Sequence, residues 1–181
     1  MSQIHYLKQD LKRILGKDKW RIIIIFFSRI FIGIFWYRIE RSLFLILGNK
    51  YQILRVILSP FLYLIQAYTN IDIHYKADIG PGLLILHSSV GIVISGRSIL
   101  GKNLTLTGGN IIGISDRPGS FIVGDNCSMG ANACIIGPLK LGNNIKIGSC
   151  ACVVKSYEQD GITLVGVPAK PLLSSLDDRY L

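Results

Sequence analysis

A chain of 181 residues is long enough for one domain with its own core, with room for a modest appendage. Half of its residues are hydrophobic, the formal net charge is +9, and the only histidines are His5, His74 and His87. The four cysteines (Cys127, Cys134, Cys150, Cys152) form no CxxC pair and have no finger-like spacing to a histidine. That argues against zinc and for reduced, small apolar fillers in a cytoplasmic protein, with no secretory signal ahead of them.

The charge is uneven. Residues 1–69 carry 11 Lys/Arg against 3 Asp/Glu, a net +8, whereas residues 70–181 carry 9 against 8. The basic residues are interleaved with long Ile/Phe/Leu runs and match no nucleic-acid motif. A negatively charged membrane surface fits that mixture better than nucleic acid, which predicts peripheral association at the inner face of the cytoplasmic membrane.

Region 1–69 reads as helical. "SQIHYLKQDLKRILGK" predicts an amphipathic helix capped by Ser2. "WRIIIIFFSRIFIGIFWYRIERSLFLIL" follows, and its most apolar part, Ile22 to Tyr37, is too short to span a bilayer and contains Arg29. A third helical segment, "YQILRVILSPFLYLIQAY", holds Pro60, which is expected to kink or end it. These helices are apolar on more than one face. They are expected to pack within the protein, between protomers, or against a bilayer surface.

From residue 70 the period becomes six. Apolar residues recur at Val123, Met129, Ile135, Leu141, Ile147 and Val153, and in the same spacing at Ile94, Leu100, Leu106 and Ile112 and at Ile73, Ile79 and Ile85. A second set stands four residues after five of these anchors: Cys127, Ala133, Leu139, Ile145 and Ala151. Glycine follows four anchors directly, at Gly124, Gly130, Gly142 and Gly148, and is expected to supply the corner's backbone angles. A period of six is neither helix nor ordinary strand; it predicts a parallel β-helix of short strands and corners. Two gaps break the register. Ile85 to Ile94 is nine residues and opens with His87; Ile112 to Val123 is eleven and holds "GISDRPGS". Insertions in a regular solenoid often build its binding face.

The hexads, the closing "GVPAKPL" and the stretch "DIHYKADIGPGLLILHSSVGIVI" resemble hexapeptide-repeat acyltransferases, in particular serine acetyltransferases and their relatives among polysaccharide-biosynthesis O-acetyltransferases. The resemblance covers residues 70–173 well and the shorter N-terminal region only loosely. It implies a mainly β fold: a left-handed parallel β-helix over 70–173, preceded by the helical region 1–69 and followed by a C-terminal tail, 174–181. It implies a homotrimer and acetyl-CoA as co-substrate, with no metal. His87 takes the place of the family's general base, suited to the task by a pKa near working pH. Asp72, fifteen residues earlier, takes the place of the carboxylate that orients it. By the same resemblance coenzyme A lies between protomers, against Gly113, Ala131 and Ser149, with Lys170 near its phosphates.

The acceptor is where the chain departs from the serine enzymes. Leu86 stands where they have an aspartate before the histidine, and the inserted loop reads Asp116-Arg117-Pro118 where they have Asp-Arg-His. An ammonium set against Leu86 loses its counter-charge, so the expected acceptor is a saccharide hydroxyl held by Arg117 and Asp116, in surface-polysaccharide biosynthesis. Two alternatives stand beside it: serine O-acetylation in cysteine biosynthesis, and a non-catalytic β-helix scaffold. A carbonic anhydrase on the same rod needs three histidines at one zinc, and the coils hold two.

Overall fold

The computed structural model describes residues 2–17, 20 and 22–172; the expected tail 174–181 and residue 173 lie outside the described residues. Four α-helices come first: α1 (Gln3–Leu15), α2 (Ile22–Phe26), α3 (Arg29–Leu47) and α4 (Tyr51–Thr69). Fifteen short strands follow, β1 to β15, from Ile71–Ile73 to Lys170–Pro171.

The helix boundaries follow local chemistry. Ser2 caps α1 by accepting a hydrogen bond from the His5 N–H, and Gly16 ends the helix at φ +59°. The long apolar segment is two helices rather than one. Ser28 interrupts it, and its hydroxyl accepts from the Phe31 N–H at 3.2 Å, which starts α3 afresh. Pro60 neither ends nor divides α4, contrary to expectation. A proline there leaves the Val56 carbonyl without its usual donor, and the Ser59 hydroxyl donates to that oxygen at 2.8 Å.

The strands wind into a three-sided parallel β-helix. One side stacks β1 (Ile71–Ile73), β4 (Ile92–Ile94), β7 (Asn110–Ile114), β10 (Cys134–Gly137) and β13 (Cys152–Val153). The second stacks β2 (Asp78–Ile79), β5 (Ile99–Leu100), β8 (Phe121–Val123) and β11 (Leu139–Leu141). The third stacks β3 (Leu84–Ile85), β6 (Thr105–Leu106), β9 (Ser128–Met129), β12 (Lys146–Ile147), β14 (Thr163–Val165) and β15. Among the described strands only β15 runs antiparallel, folded back on β14 through the "GVPAK" turn, so the third side does not end in an open parallel edge.

All thirteen hexad anchors point into the core, each 6 % exposed or less, and the second set, Cys127, Ala133, Leu139, Ile145 and Ala151, is buried with them. The coils stack in register across both insertions: Ile73 over Ile94, Ile94 over Ile112, Ile112 beside Ile135. The extra residues are therefore extruded whole. The hexad glycines act differently from expectation. Gly124, Gly130, Gly142 and Gly148 do not hold positive φ; Asn126, Asn132, Asn144 and Cys150, two residues later, do. Glycine is needed because the coils approach closely: a Cβ on Gly130 would stand 2.6 Å from the Ser149 nitrogen of the next coil. Of the cysteines, Cys127 fills the core, Cys134 and Cys152 are half-buried neighbours across β10 and β13, and Cys150 is exposed.

The helices sit on the first coil. Gly33 lets α3 close on β1, since a Cβ there would meet Ile71 Cδ1 at 2.7 Å. Arg38 of α3 is 1 % exposed and fully engaged. It pairs with the buried Asp10 of α1 (Nε to Oδ2, 2.8 Å) and donates to the carbonyls of Ile79 (2.7 Å) and Gly80 (2.8 Å). Asp10 in turn accepts the backbone N–H groups of Gly82 and Leu83, both at 2.7 Å. A buried ion pair gains little unless its remaining hydrogen bonds are made, and here they are. Arg13 donates to the Gly82 carbonyl and to Thr105 Oγ1, and Arg41 to the Lys76 carbonyl. Part of the N-terminal charge is thus turned inward and docks helices on coils.

Candidate active site

The corner where the third side passes to the first forms a continuous column along the rod. It begins with His87 and continues through Thr107–Gly109, Gly130–Asn132 and Gly148–Cys150 in successive coils, ending at Gly166 and β15. Backbone hydrogen bonds tie the levels: His87 N–H to Thr107 O (2.9 Å), Asn132 N–H to Gly108 O (2.8 Å), Cys150 N–H to Ala131 O (2.8 Å) and Cys152 N–H to Gly166 O (3.0 Å). With coils spaced about 4.8 Å apart, the edge from His87 to Gly166 is about 19 Å long, and Lys170 on β15 stands one strand further, about 24 Å from His87. Four of the sequence-predicted residues, His87, Ala131, Ser149 and Lys170, lie along it.

His87 is extended (φ −135°, ψ 101°) and precedes a short 3₁₀ turn, Ser88–Val90, which is the first insertion. Gly91 at φ +84° and the Ile92 N–H bond to Asn70 O (2.9 Å) return the chain to register. The imidazole is exposed, and Leu86 (45 % exposed) and Val90 give it an apolar rim. Asp72 projects from the outer face of β1, directly beneath Val93 of β4 in the stack. Among the described residues no hydrogen bond or ion pair joins Asp72 to His87. The two share one end of the first side without meeting in a single chain.

The other predicted residues lie elsewhere. Gly113 is in the second half of β7, and Asp116 and Arg117 follow it in the extruded loop, exposed and without partners among the described residues. That loop leaves from the opposite edge of the first side. One chain therefore does not bring Arg117 to His87. Between the two edges, the outward column of the first side runs Asp72, Val93, Ile111, Cys134, Cys152: apolar beyond Asp72, with Val93 and Ile111 exposed. The outward column of the third side is Leu84, Thr105, Ser128, Lys146 and Thr163, mostly polar.

One supporting residue escaped the sequence reading. Asn110 points inward on β7, in line with Ile71 and Ile92. Its Oδ1 accepts from the Gly108 N–H (2.9 Å), and its Nδ2 donates to the Gly130 carbonyl (2.7 Å), tying together two levels of the His87 edge. The available signal was an amide in a column of isoleucines. Among the described residues no group of three His, Cys, Asp or Glu side chains is placed to hold a metal.

No family model matches the chain. It is similar to curated serine acetyltransferases: 36% identical over 105 residues to that of Mycobacterium tuberculosis, covering 56% of this chain and 45% of the relative, and 32% over 112 residues to that of Buchnera aphidicola, covering 59% and 41%. The chain thus spans about half the length of the curated relatives it matches. Among solved structures, the serine acetyltransferase of Neisseria gonorrhoeae superposes with a TM-score of 0.78 at 29% identity, over 96% of this chain and 68% of that one. Its complex with serine gives a TM-score of 0.77 at 32% identity, over 94% and 69%. A serine acetyltransferase in complex with CoA, at 24% identity and TM-score 0.75, shares the fold. The helices, the coils and their closing turn therefore place the chain among the serine acetyltransferase-like hexapeptide-repeat acyltransferases, the family to which it belongs.

Proposed function

We propose that the chain transfers an acetyl group from acetyl-CoA to a hydroxyl, and that it does so between copies of itself. The observation that carries this reading is the single edge with an exposed imidazole at one end, small residues along its length and Lys170 at the other. A long cofactor with a thioester at one end and phosphates towards the other fits that order: Ala131 and Ser149 leave room for it, and Lys170 supplies the cation. His87 takes the proton of the acceptor hydroxyl while the oxygen attacks the thioester carbonyl. The tetrahedral oxyanion collapses, the C–S bond breaks, and the imidazolium returns its proton to the departing thiolate. Asp72, at the same end of the first side but not bonded to His87 in the free chain, is the carboxylate we assign to orient the imidazole and steady its charge once the acceptor is bound.

The site is complete only with a neighbour. His87 and Arg117 stand on opposite edges of the first side, and the apolar column between those edges supplies a face to pack. Three copies arranged with these faces inward set the edge of each beside the inserted loop of the next, so that Arg117 and Asp116 reach the acceptor and Gly113 the cofactor. This is the homotrimer of the sequence reading, with a geometric reason for it.

For the acceptor, similarity to serine acetyltransferases favours serine over the saccharide expected from the sequence. Arg117 is the group to grip its carboxylate by a bidentate pair. A saccharide hydroxyl remains as the second reading on one observation: Leu86 and Val90 rim His87 with apolar surface where an ammonium would want an anion. Thiol release from acetyl-CoA, measured with serine and with a panel of nucleotide sugars and oligosaccharides, separates the two. Turnover with serine above every saccharide is expected. The reverse order reinstates the saccharide, and no release with any hydroxyl acceptor overturns the transferase reading.

A further inference from the structure

The largest feature the proposed chemistry leaves unused is the outer face of the helices. Along α4, Ile53, Val56, Ile57, Phe61, Leu64 and Tyr68 recur at helical spacing and all are exposed; Ile57 is 73 % and Leu64 70 % exposed. The only charged side chain within α4, Arg55, is turned aside to Glu40 (2.9 Å). The stripe continues onto α2. Arg29, just past α2, stands over the Tyr68 ring at 5.3 Å, which brings the end of α2 to the end of α4. There Ile23, Ile24 and Phe27 are exposed, and Trp20 nearby is 96 % exposed. A continuous apolar run of this size on a protein surface marks something it binds.

The surrounding charge decides what. The acids described in this region, Asp10 and Glu40, are buried and paired with Arg38 and Arg55. Lys50 directly before α4 and Arg29 over Tyr68 near its end are exposed, as are Lys8, Lys12 and Lys17 on and after α1, which packs on α3 and the coils rather than on α4. Among the described residues the exposed helical surface therefore carries cations and no acid. A second copy of this face would bring like charges together. A sheet of anionic headgroups over an apolar layer complements both features at once. No helix of the described residues is long and apolar enough to cross a membrane, so contact is in the interface plane, with Trp20, Tyr63 and Tyr68 at headgroup depth.

We propose that the α2–α4 face seats the chain on an anionic lipid surface. The inference is independent of the acetyl-transfer reading, and the experiment keeps them apart. The full chain is co-sedimented with phosphatidylcholine vesicles containing phosphatidylglycerol, and with pure phosphatidylcholine vesicles, at low and high salt. The expected result is sedimentation with the anionic vesicles, weakened at least tenfold by high salt and by their replacement with the neutral ones. The Ile57→Asp/Leu64→Asp variant is expected to lose at least tenfold in vesicle binding with its circular dichroism and melting temperature unchanged, both side chains being exposed. Thiol release in solution, read separately, is expected to be the same for the variant and the parent. No sedimentation of the parent with anionic vesicles overturns the proposal. So does parent-like vesicle binding by the variant, or a self-association of the parent, seen by sedimentation velocity without lipid, that the variant abolishes. Should the variant fail to fold, the salt and lipid dependence of the parent alone still decides.

Discussion

Two edges of the rod share one backbone design and carry opposite chemistry. Both turn corners with a left-handed residue three places after the inward anchor. At the edge from the second side to the third, those corners are roofed by side chains that bond the backbone or side chain of the adjacent coil: Asp125 accepts from the Lys102 N–H (2.8 Å), Asn143 from the Asp125 N–H (2.9 Å), Asp160 from the Asn143 N–H (2.7 Å), and Asn103 donates to Asn126 (2.9 Å). The backbone and side-chain N–H bonds from Asn143 hold the Asp160 carboxyl below its usual range. The first coil of that edge is closed by Asp10, Arg13 and Arg38 from the helices. At the His87 edge the corresponding positions are Gly108 and Gly109, Ala131 and Asn132, and Ser149 and Cys150, and the imidazole stands open. A corner whose side chains are spent on the backbone of the adjacent coil offers a ligand little; a corner of smaller side chains offers room.

The contrast is sharpest if substitutions on the two edges fail in different assays. His87→Ala is expected to lower kcat by about 10²–10⁴-fold, the loss of a general base, with an unchanged melting curve. Asp72→Asn is expected to cost less, since the imidazole remains but is poorly held. An unaffected kcat in the histidine variant removes the open edge from the chemistry. On the closed edge, Asp10→Ala strands the buried Arg38 charge and two backbone donors. A loss of about 3–5 kcal/mol of stability in chemical denaturation is expected. Loss of activity at unchanged stability would instead make that network catalytic.

Smaller effects refine the picture. Ala131→Trp fills the open edge midway between His87 and Lys170. Its expected signature is a rise in KM for acetyl-CoA of about tenfold, worth about 1.4 kcal/mol, with little change in KM for the acceptor. Equal changes in both would detach Ala131 from the cofactor. Asp125→Ala removes one rung of the closed ladder at an exposed site, for an expected loss of about 1 kcal/mol of stability and no kinetic change.

The third edge adds a pH term. Burial, and then the charges of Arg55 and Lys76, hold His74 below the usual histidine range. The unfolded chain therefore binds that proton more readily than the folded one. The contribution is fully present above the unfolded pKa, about 6.5, and is lost as pH falls through the lower folded value. Melting temperatures at about pH 7.5 and about pH 5.5 should converge in His74→Asn relative to the parent; an unchanged difference assigns the acid sensitivity to other groups.

The fold was legible because it is repetitive. A period of six has one structural solution, and every anchor the period named is buried. What the period could not supply was close approach between coils, so the hexad glycines were assigned to backbone angles that the asparagines in fact hold. Ser59 next to Pro60 reads as nothing until its hydroxyl is seen on the Val56 carbonyl. For the candidate site, the arrangement of the residues was not legible in the sequence. His87, Ala131, Ser149 and Lys170 fall on one edge because hexads map sequence spacing onto height along the rod. Arg117 and Gly113 fall on the other edge, and the count of residues between them and His87 carries no information about which corner each occupies. The Asp10–Arg38 pair, 28 residues apart, joins two helices whose packing no local pattern encodes.

The extruded insertions have a consequence for change over time. Because coils on both sides of each one remain in register, the core does not sense how many residues the loop at 115–120 contains. Doubling such a loop costs only about 0.6 kcal/mol in closure entropy. The segment proposed to grip the acceptor is therefore also the segment the rod can most cheaply rewrite. Recognition can drift there under selection while the thirteen stacked anchors, and the edge proposed to receive the cofactor, stay fixed.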